Sequence, residues 1–145
     1  MTRGNAGDIT AIRDLIQRQF QSMSWESGAT GDWDAFAQDF HRDATLFASS
    51  RPVRAQSVDA FTHRMQRLVG TALKSFHERV LGVEVRVFGS VAVASVACEN
   101  TENGSEINRN VEMMLLIKDE ERWQIVAQAW DKANVDRPVP ADLID

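Results

Sequence analysis

The sequence predicts an α+β domain in which helices come first and cover one face of an antiparallel sheet. Apolar residues of the first half recur at three- and four-residue steps, as in amphipathic helices, whereas those of the second half alternate with polar residues, as in strands with one buried face. Because the strands follow the helices, we expect an antiparallel rather than a parallel sheet. The 145 residues fit a single domain over residues 1–145, with flexible or extended tails at residues 1–7 and 136–145.

Three helices are predicted, each from an apolar stripe and a capping residue. Asp8, then Asp32 or Thr30, and finally Ser57 precede the stripes, and their side-chain oxygens can accept hydrogen bonds from the free amides of a first helical turn. The stripes consist of Ile9, Ile12, Ile16, Phe20 and Met23 in the first helix, Trp33, Phe36 and Phe40 in the second, and Val58, Phe61, Met65 and Leu68 in the third.

The remaining segments are predicted strands. A short strand is predicted at residues 45–47, before the third helix. Further along the chain, the Asn103-Gly104 pair is a strong signal for a hairpin turn. Residues 119–121 form a second, charged turn. The strands of the second half contain Val83, Val85 and Val87, then the run from Val91 to Cys98, then Val111, Met113, Leu115 and Ile117, and finally Trp123 to Trp130.

The composition excludes several classes of protein. The net charge is −5 and lysine and arginine are scattered, which argues against a surface for nucleic acid or for an anionic membrane. Residues 1–8 lack the apolar region of a signal peptide, and no apolar run approaches the ~20 residues that span a bilayer. Cys98 is the only cysteine, so an intrachain disulfide is impossible and a reducing, cytoplasmic location is expected.

Motifs for metal, nucleotide or covalent chemistry are missing from the sequence. Histidine, cysteine and carboxylate residues do not recur at the spacing of a metal site, so we expect no metal. The chain has neither a Gly-rich phosphate loop nor a Gly-x-Ser-x-Gly turn. Cys98 is interpreted as a small buried hydrophobe. We therefore expect no cofactor.

Several segments resemble a known superfamily. Residues 31–36 read Gly-Asp-Trp-Asp-Ala-Phe and lead into residues 40–47, Phe-His-Arg-Asp-Ala-Thr-Leu-Phe, while the last strand begins with Arg-Trp-Gln at residues 122–124. These motifs resemble the nuclear-transport-factor-two-like superfamily over about residues 8–135. Residues 76–79 and 130–131 are similar to motifs of its SnoaL-like proteins, many of them uncharacterised. The resemblance implies a cone, in which three N-terminal helices pack on a strongly curved mixed or antiparallel sheet.

The resemblance implies no single activity, because this fold hosts isomerases, cyclases, dehydratases, hydrolases and non-catalytic binding modules. Ketosteroid isomerases place a base carboxylate shortly after the first strand, where residues 47–50 here read Phe-Ala-Ser-Ser, and their phenolic donor requires a tyrosine that this chain lacks. The aspartate of scytalone-dehydratase-like enzymes would fall near Ala29. The resemblance does carry over a strand histidine, for which His77 is the counterpart.

His77 is the main catalytic candidate. It lies six residues before Val83, so an unbroken strand would place both side chains on the face that points into the cone. There a neutral imidazole could act as general acid or base near pH 7. The alternatives are a core histidine bonded to backbone or to Asp43, and a bulge at Gly82 that turns His77 outward.

The last two strands provide a second group of candidates. If their turn holds three residues, Arg109 pairs with Asp131, and the forked guanidinium at a pocket mouth would suit an anionic or carbonyl ligand. The alternative for this pair is an exposed salt bridge contributing ~0–1 kcal/mol. A turn of two or four residues instead places Trp130 opposite Val111 and Gln128 opposite Met113. The full set is His77 and Asp131 as catalytic residues, and Arg109, Trp130, Met113 and Gln128 as ligand-binding residues.

Two functions fit these observations. In the first, the cone binds a small, largely apolar molecule, with carbonyl compounds as candidates, and His77 assists an isomerase-, cyclase- or dehydratase-like proton transfer. In the alternative, the chain is a non-catalytic homodimeric module whose outer sheet face forms the interface. A cavity of ~300 Å³ or more would favour the first, and a filled cone the second. We expect a homodimer, and we assign to its outer face Met114, Leu116 and Ile125.

Overall fold

The computed structural model describes residues 6–145. Its elements follow the predicted α+β order, and residues 1–5 of the predicted N-terminal tail lie outside the described residues. Within the described range, no helix combines the length and apolar character needed to cross a membrane. The elements are α1 (Ala6–Ser22), α2 (Trp33–Gln38), β1 (Phe40–Phe47), β2 (Ala55–Ser57), α3 (Val58–Leu68), β3 (Phe76–Phe88), β4 (Val91–Glu102), β5 (Glu106–Asp119), β6 (Arg122–Lys132) and a 3-10 helix (Ala141–Leu143).

The six strands form one open, curved sheet in the order β2-β1-β6-β5-β4-β3. Neighbouring strands pair antiparallel except β1 and β6, which are parallel, so the sheet is mixed. Asn103 and Gly104 have positive φ angles of 52° and 79°, and Glu120 and Glu121 have φ angles of 50° and 62°. The turn between β4 and β5 holds three residues, 103–105, whereas the turn between β5 and β6 holds two, Glu120 and Glu121. The positive φ angles in both turns give the twist that hairpins require.

The helices cover one face of the sheet, here called the inner face, and the apolar core lies between the two layers. Ile12, Phe20 and Phe36 are at most 2% exposed and belong to this core. The predicted caps of α2 and α3 are confirmed, because Asp32 accepts from the Ala35 amide and Ser57 accepts from the Ala60 amide.

Asp8 does not cap α1, because the helix already begins at Ala6. Its carboxylate instead accepts hydrogen bonds from Lys118 Nζ and Trp123 Nε1, each at 3.0 Å. These bonds lower the pKa of Asp8, with that from Trp123 having the larger effect. The first turn of α1 is thereby tied to the ends of β5 and β6.

A bulge in β3 decides which of its side chains face inward. The pairing with β4 shifts between Val80 and Gly82, so Leu81 is an extra residue in the strand. Val83 and the alternate residues after it face inward, but the shift makes Glu78 rather than His77 the inward residue before the bulge.

The sequence interpretation assigned β5 to the wrong face. Met114 and Leu116 are 3% and 0% exposed and point inward, whereas Met113 and Leu115 are 60% and 45% exposed on the opposite, outer face. Ile125 of β6 is also buried rather than outward. Apolar residues occupy both faces of β5, and with a period of two a one-residue error of assignment exchanges the two faces completely.

The C-terminal segment packs against the bulge in β3. Leu143 is buried, and the Asp145 amide donates to the Leu81 carbonyl at 3.0 Å. A Cβ atom on Gly82 would lie 1.7 Å from the Leu143 carbonyl oxygen, so the close approach of the two backbones requires glycine. Residues 136–145 thus include the 3-10 helix and a buried anchor, Leu143.

Candidate functional site

A cavity of about 130 Å³ lies between the inner face of the sheet and the helices. Phe36 and Phe61 stack with their centroids 5.6 Å apart, and Trp130 meets Phe61 edge-on at 5.8 Å. Arg64, an exposed residue of α3, lies at the solvent end. The cavity is smaller than the ~300 Å³ expected for a drug-sized ligand, but the cone is not filled. Its apolar wall consists of Met23, Phe36, Leu46, Phe61, Met65, Phe76 and Trp130.

The sheet side of the cavity carries a compact polar group, which we call the acidic trio: Glu78, Cys98 and Glu112. These residues lie on the adjacent strands β3, β4 and β5, and one atom of each lies within 4.8 Å of the others. Cys98 Sγ is 3.4 Å from Glu112 Oε2 and 4.0 Å from Glu78 Oε2. Cys98 and Glu112 are 0% and 5% exposed, so water screens a charge at this position poorly.

Two glutamines extend this polar group towards α1. Gln128 Nε2 donates to Glu112 Oε1 at 2.5 Å, and Gln19 Nε2 donates to Gln128 Oε1 at 3.0 Å. Gln128 thus turns its nitrogen to Glu112 and its oxygen to Gln19. The chain of bonds therefore fixes Gln19 Oε1 as an acceptor.

Several acceptors at this site lack a donor. Among the described residues that line the cavity, four buried side-chain oxygens have no hydrogen-bond partner. A buried acceptor without a donor destabilises a protein by ~1–3 kcal/mol, so such groups usually face a ligand, an ion or water. The four atoms are Gln19 Oε1, Glu78 Oε1, Asn100 Oδ1 and Asn110 Oδ1.

Both carboxyl groups of the acidic trio have raised pKa values. Burial, the charge of Glu112 and a hydrogen bond to it raise the pKa of Glu78 well above its usual value. Burial also raises the pKa of Glu112, but hydrogen bonds from Gln128, Cys98 and Glu78 oppose that shift. Burial thus favours the neutral form of both carboxyl groups, and the charge of Glu112 adds to this effect at Glu78. Burial and both carboxyl groups also raise the pKa of Cys98, which stays a thiol.

Comparison with known families determines the affiliation of the chain. Residues 7–131 match the family model described as "Putative lumazine-binding". The chain belongs to this family. Comparison with functionally curated proteins found no match.

Solved structures place this family member among NTF2-like and cystatin-like folds. An NTF2-like protein of unknown function from Pseudomonas putida has a TM-score of 0.71 and 15% identity, covering 97% of this chain and 99% of that one. An uncharacterised cystatin-like protein from Caulobacter vibrioides has a TM-score of 0.69 and 19% identity, covering 90% and 93%. A cystatin-like protein of unknown function from Nostoc punctiforme has a TM-score of 0.71 and 11% identity, covering 90% and 95%. At these identities the likeness shows the fold alone.

His77 lies outside the cavity of this family member. Its side chain is 43% exposed, and Nε2 is 3.4 Å from Glu26 Oε1. The expected inward direction is wrong because Leu81 shifts the alternation of β3 by one residue. Among the described residues no histidine lines the cavity.

Arg109 and Asp131 do not form the expected pair. Val111 rather than Arg109 lies opposite Asp131, because the turn holds two residues and a bulge in β6 shifts the register between Leu115 and Leu116. Arg109 Nε instead bonds Glu99 at 3.1 Å, and Asp131 lies 3.5 Å from Arg137. Both side chains are largely exposed and lie outside the cavity.

The remaining ligand-binding candidates divide between the two faces. Trp130 and Gln128 line the cavity, and the bulge places them opposite Glu112 and Met114 rather than Val111 and Met113. Met113 lies on the outer face, so its expected place in the cavity wall is wrong. A role of Trp130 and Gln128 in binding stays a prediction.

Sequence reasoning missed the polar residues that face the cavity. Glu112 stands between apolar residues on β5 and shares the inner face with Met114 and Leu116. Gln19 interrupts the apolar stripe of α1. A polar residue at a core position of an element is a usable signal, because buried polar groups need partners. This signal could have indicated Gln19 without a structure.

Proposed function

We propose that the chain binds a small planar heterocycle with N–H donors beside carbonyl groups, of the lumazine kind, in the inner cavity. The observation that carries this proposal is the unpartnered Gln19 Oε1, fixed as an acceptor at the end of the Glu112–Gln128–Gln19 chain. An N–H group of the ligand would provide the missing donor. The name of the family supports the same ligand class.

The apolar wall suits the faces of a flat ring. Phe36, Phe61 and Trp130 offer aromatic surface around a cavity of about 130 Å³. An apolar cavity of ~150 Å³ accepts benzene, so one six-membered ring fits inside. The second ring of a bicyclic ligand would lie at the solvent end beside Arg64.

Proton transfer on such a ligand would involve Glu78 and Glu112 rather than a histidine. Burial raises the pKa values of both groups, and that of Glu78 well above its usual value. A protonated carboxyl group can donate a hydrogen bond to a carbonyl oxygen of the ligand. The His77-assisted mechanism is not retained.

Binding of lumazine itself tests the proposal. In calorimetric titration with EDTA present, we expect lumazine to bind and 1,3-dimethyllumazine to bind at least about tenfold more weakly. The methyl groups remove the N–H donors, and a buried acceptor left without a donor costs ~1–3 kcal/mol, with about 1.4 kcal/mol per tenfold in affinity. Equal affinities, or no lumazine binding at millimolar concentration, would contradict the proposal.

A matched pair of variants locates the binding site. Gln19→Met removes the acceptor at similar volume and should weaken lumazine binding by about tenfold or more. Gln17→Met makes the same change on the exposed face of α1 and should leave the affinity unchanged. If the two variants bind lumazine equally well, Gln19 does not contact the ligand.

We further propose that two copies of the chain associate through the outer face of the sheet. Val93, Met113 and Leu115 are 50%, 60% and 45% exposed there and lie on the adjacent strands β4 and β5. Contiguous exposed apolar residues commonly mark an interface between proteins.

Light scattering tests this association. The wild type should have twice the 16.3 kDa mass of the chain, and Leu115→Glu should return it to the monomer mass because a buried unpaired charge opposes association. Val135→Glu is the control, since Val135 is 93% exposed in the C-terminal segment. A wild type of monomer mass at micromolar concentration would rule out the dimer.

A further inference from the structure

The acidic trio combines one thiol and two carboxyl groups on three adjacent strands. We propose that Glu78, Cys98 and Glu112 bind a divalent transition-metal ion of the Zn²⁺ class at the inner wall of the cavity. The sequence alone does not predict this site, because Glu78 and Glu112 lie 34 positions apart and only the pairing of β3, β4 and β5 brings them together. Metal binding at the trio does not require the heterocycle proposed above.

The distances within the trio suit a tetrahedral ion. With Zn–S of about 2.3 Å and Zn–O of about 2.0 Å, tetrahedral sulfur and oxygen ligands stand roughly 3.5 Å apart. Cys98 Sγ lies 3.4 Å from Glu112 Oε2 and 4.0 Å from Glu78 Oε2. Ion binding would therefore require only small rotations of the side chains.

A second observation independent of the trio points to an ion. Asn110 is 6% exposed, its Oδ1 has no hydrogen-bond partner, and it lines the same cavity. Asn110 lies opposite Cys98 in the β4–β5 pairing, which places it beside the trio. Three protein ligands leave the fourth position of a tetrahedral ion open, and water bound there could donate to Asn110 Oδ1.

The types of ligand limit which ion fits. Mg²⁺ and Ca²⁺ prefer oxygen ligands alone, and Cu⁺ prefers sulfur, whereas Zn²⁺ and Co²⁺ accept a thiolate with carboxylates. Gln128 already donates to Glu112 Oε1, which is the kind of outer contact that orients a metal-bound carboxylate. A thiol has to lose its proton to bind the ion, so the affinity should rise with pH.

Titration of the EDTA-treated, dialysed full chain with Co²⁺ alone tests the site. A cobalt–thiolate bond gives a near-ultraviolet charge-transfer band, and because Cys98 is the only cysteine the band reports this residue without ambiguity. We expect the band to saturate at one Co²⁺ per chain, and Zn²⁺ to remove it by displacement. A histidine bound to Co²⁺ does not give a thiolate charge-transfer band. The His77→Gln variant should therefore show the same band as the wild type during the Co²⁺ titration.

Two variants decide between the trio and a lone thiol. Cys98→Ala should remove the band, and Glu112→Gln should weaken Co²⁺ binding by at least about tenfold, since even outer contacts of metal sites are worth ~10–100-fold. Circular dichroism would establish that each variant is folded. The proposal is overturned if folded wild type shows no band with millimolar Co²⁺, or if folded Glu112→Gln binds Co²⁺ as tightly as the wild type.

Discussion

Phe36→Ala is expected to lower the free energy of unfolding by about 3–5 kcal/mol. Phe36 is 1% exposed, and its ring lies 5.0 Å from that of Phe40 and 5.6 Å from that of Phe61. It is also the buried residue of α2, a helix of only 6 residues that depends on this anchor. Truncation would enlarge the cavity and remove aromatic contacts on three elements. Chemical denaturation measures the loss.

The control for this experiment is Phe88→Ala. Phe88 is 85% exposed at the end of β3, and a surface change of this kind normally alters stability by less than about 0.5 kcal/mol. If Phe36→Ala were no more destabilising than the control, α2 would not be anchored through this ring.

Glu78→Gln is expected to stabilise the chain above neutral pH and to flatten its stability–pH curve. Burial, together with Glu112, raises the pKa of Glu78 in the folded state. The folded state therefore holds the Glu78 proton more tightly than the unfolded state. The contribution of this proton to the free energy of unfolding is fully present below the pKa of Glu78 in the unfolded state, and it is lost as the pH rises through the pKa in the folded state. Glutamine mimics the protonated acid and cannot lose that proton, so the gain at pH 8 should be about 1–3 kcal/mol.

Denaturation at pH 5 and pH 8, with EDTA present, measures this effect. The wild type should be less stable at pH 8 than at pH 5, and the difference should shrink in Glu78→Gln. Glu106→Gln changes an exposed carboxylate on β5 and should follow the wild-type curve. If the free energy of unfolding instead changes between pH 5 and pH 8 by the same amount in the wild type and in Glu78→Gln, the fold does not raise the pKa of Glu78.

The sequence predicted the elements well because local chemistry specifies them. The side-chain caps at Asp32 and Ser57 and the Asn103-Gly104 turn each act within a few residues, and the structure has all three. Such short-range signals give the order of helices and strands, and hence the α+β class.

The site could not be predicted because it depends on register. Because Leu81 is an extra residue in β3, Glu78 rather than His77 faces the cavity. The pattern of apolar and polar residues around Leu81 does not reveal this shift. On β5 both faces carry large apolar residues, so hydrophobicity alone cannot choose the buried one. The choice follows from packing against the helices and from what covers the outer face, and both are long-range properties of the fold.

The bulge in β3 also serves as an attachment point for the C-terminal segment. Because Leu81 is the extra residue, its deletion would leave Glu78 opposite Asn100, so Glu78 would stay in the cavity wall and His77 outside it. The deletion would instead remove the carbonyl group to which the Asp145 amide donates at 3.0 Å. The single inserted residue is therefore dispensable for the lining of the cavity but not for the docking of the C-terminal segment.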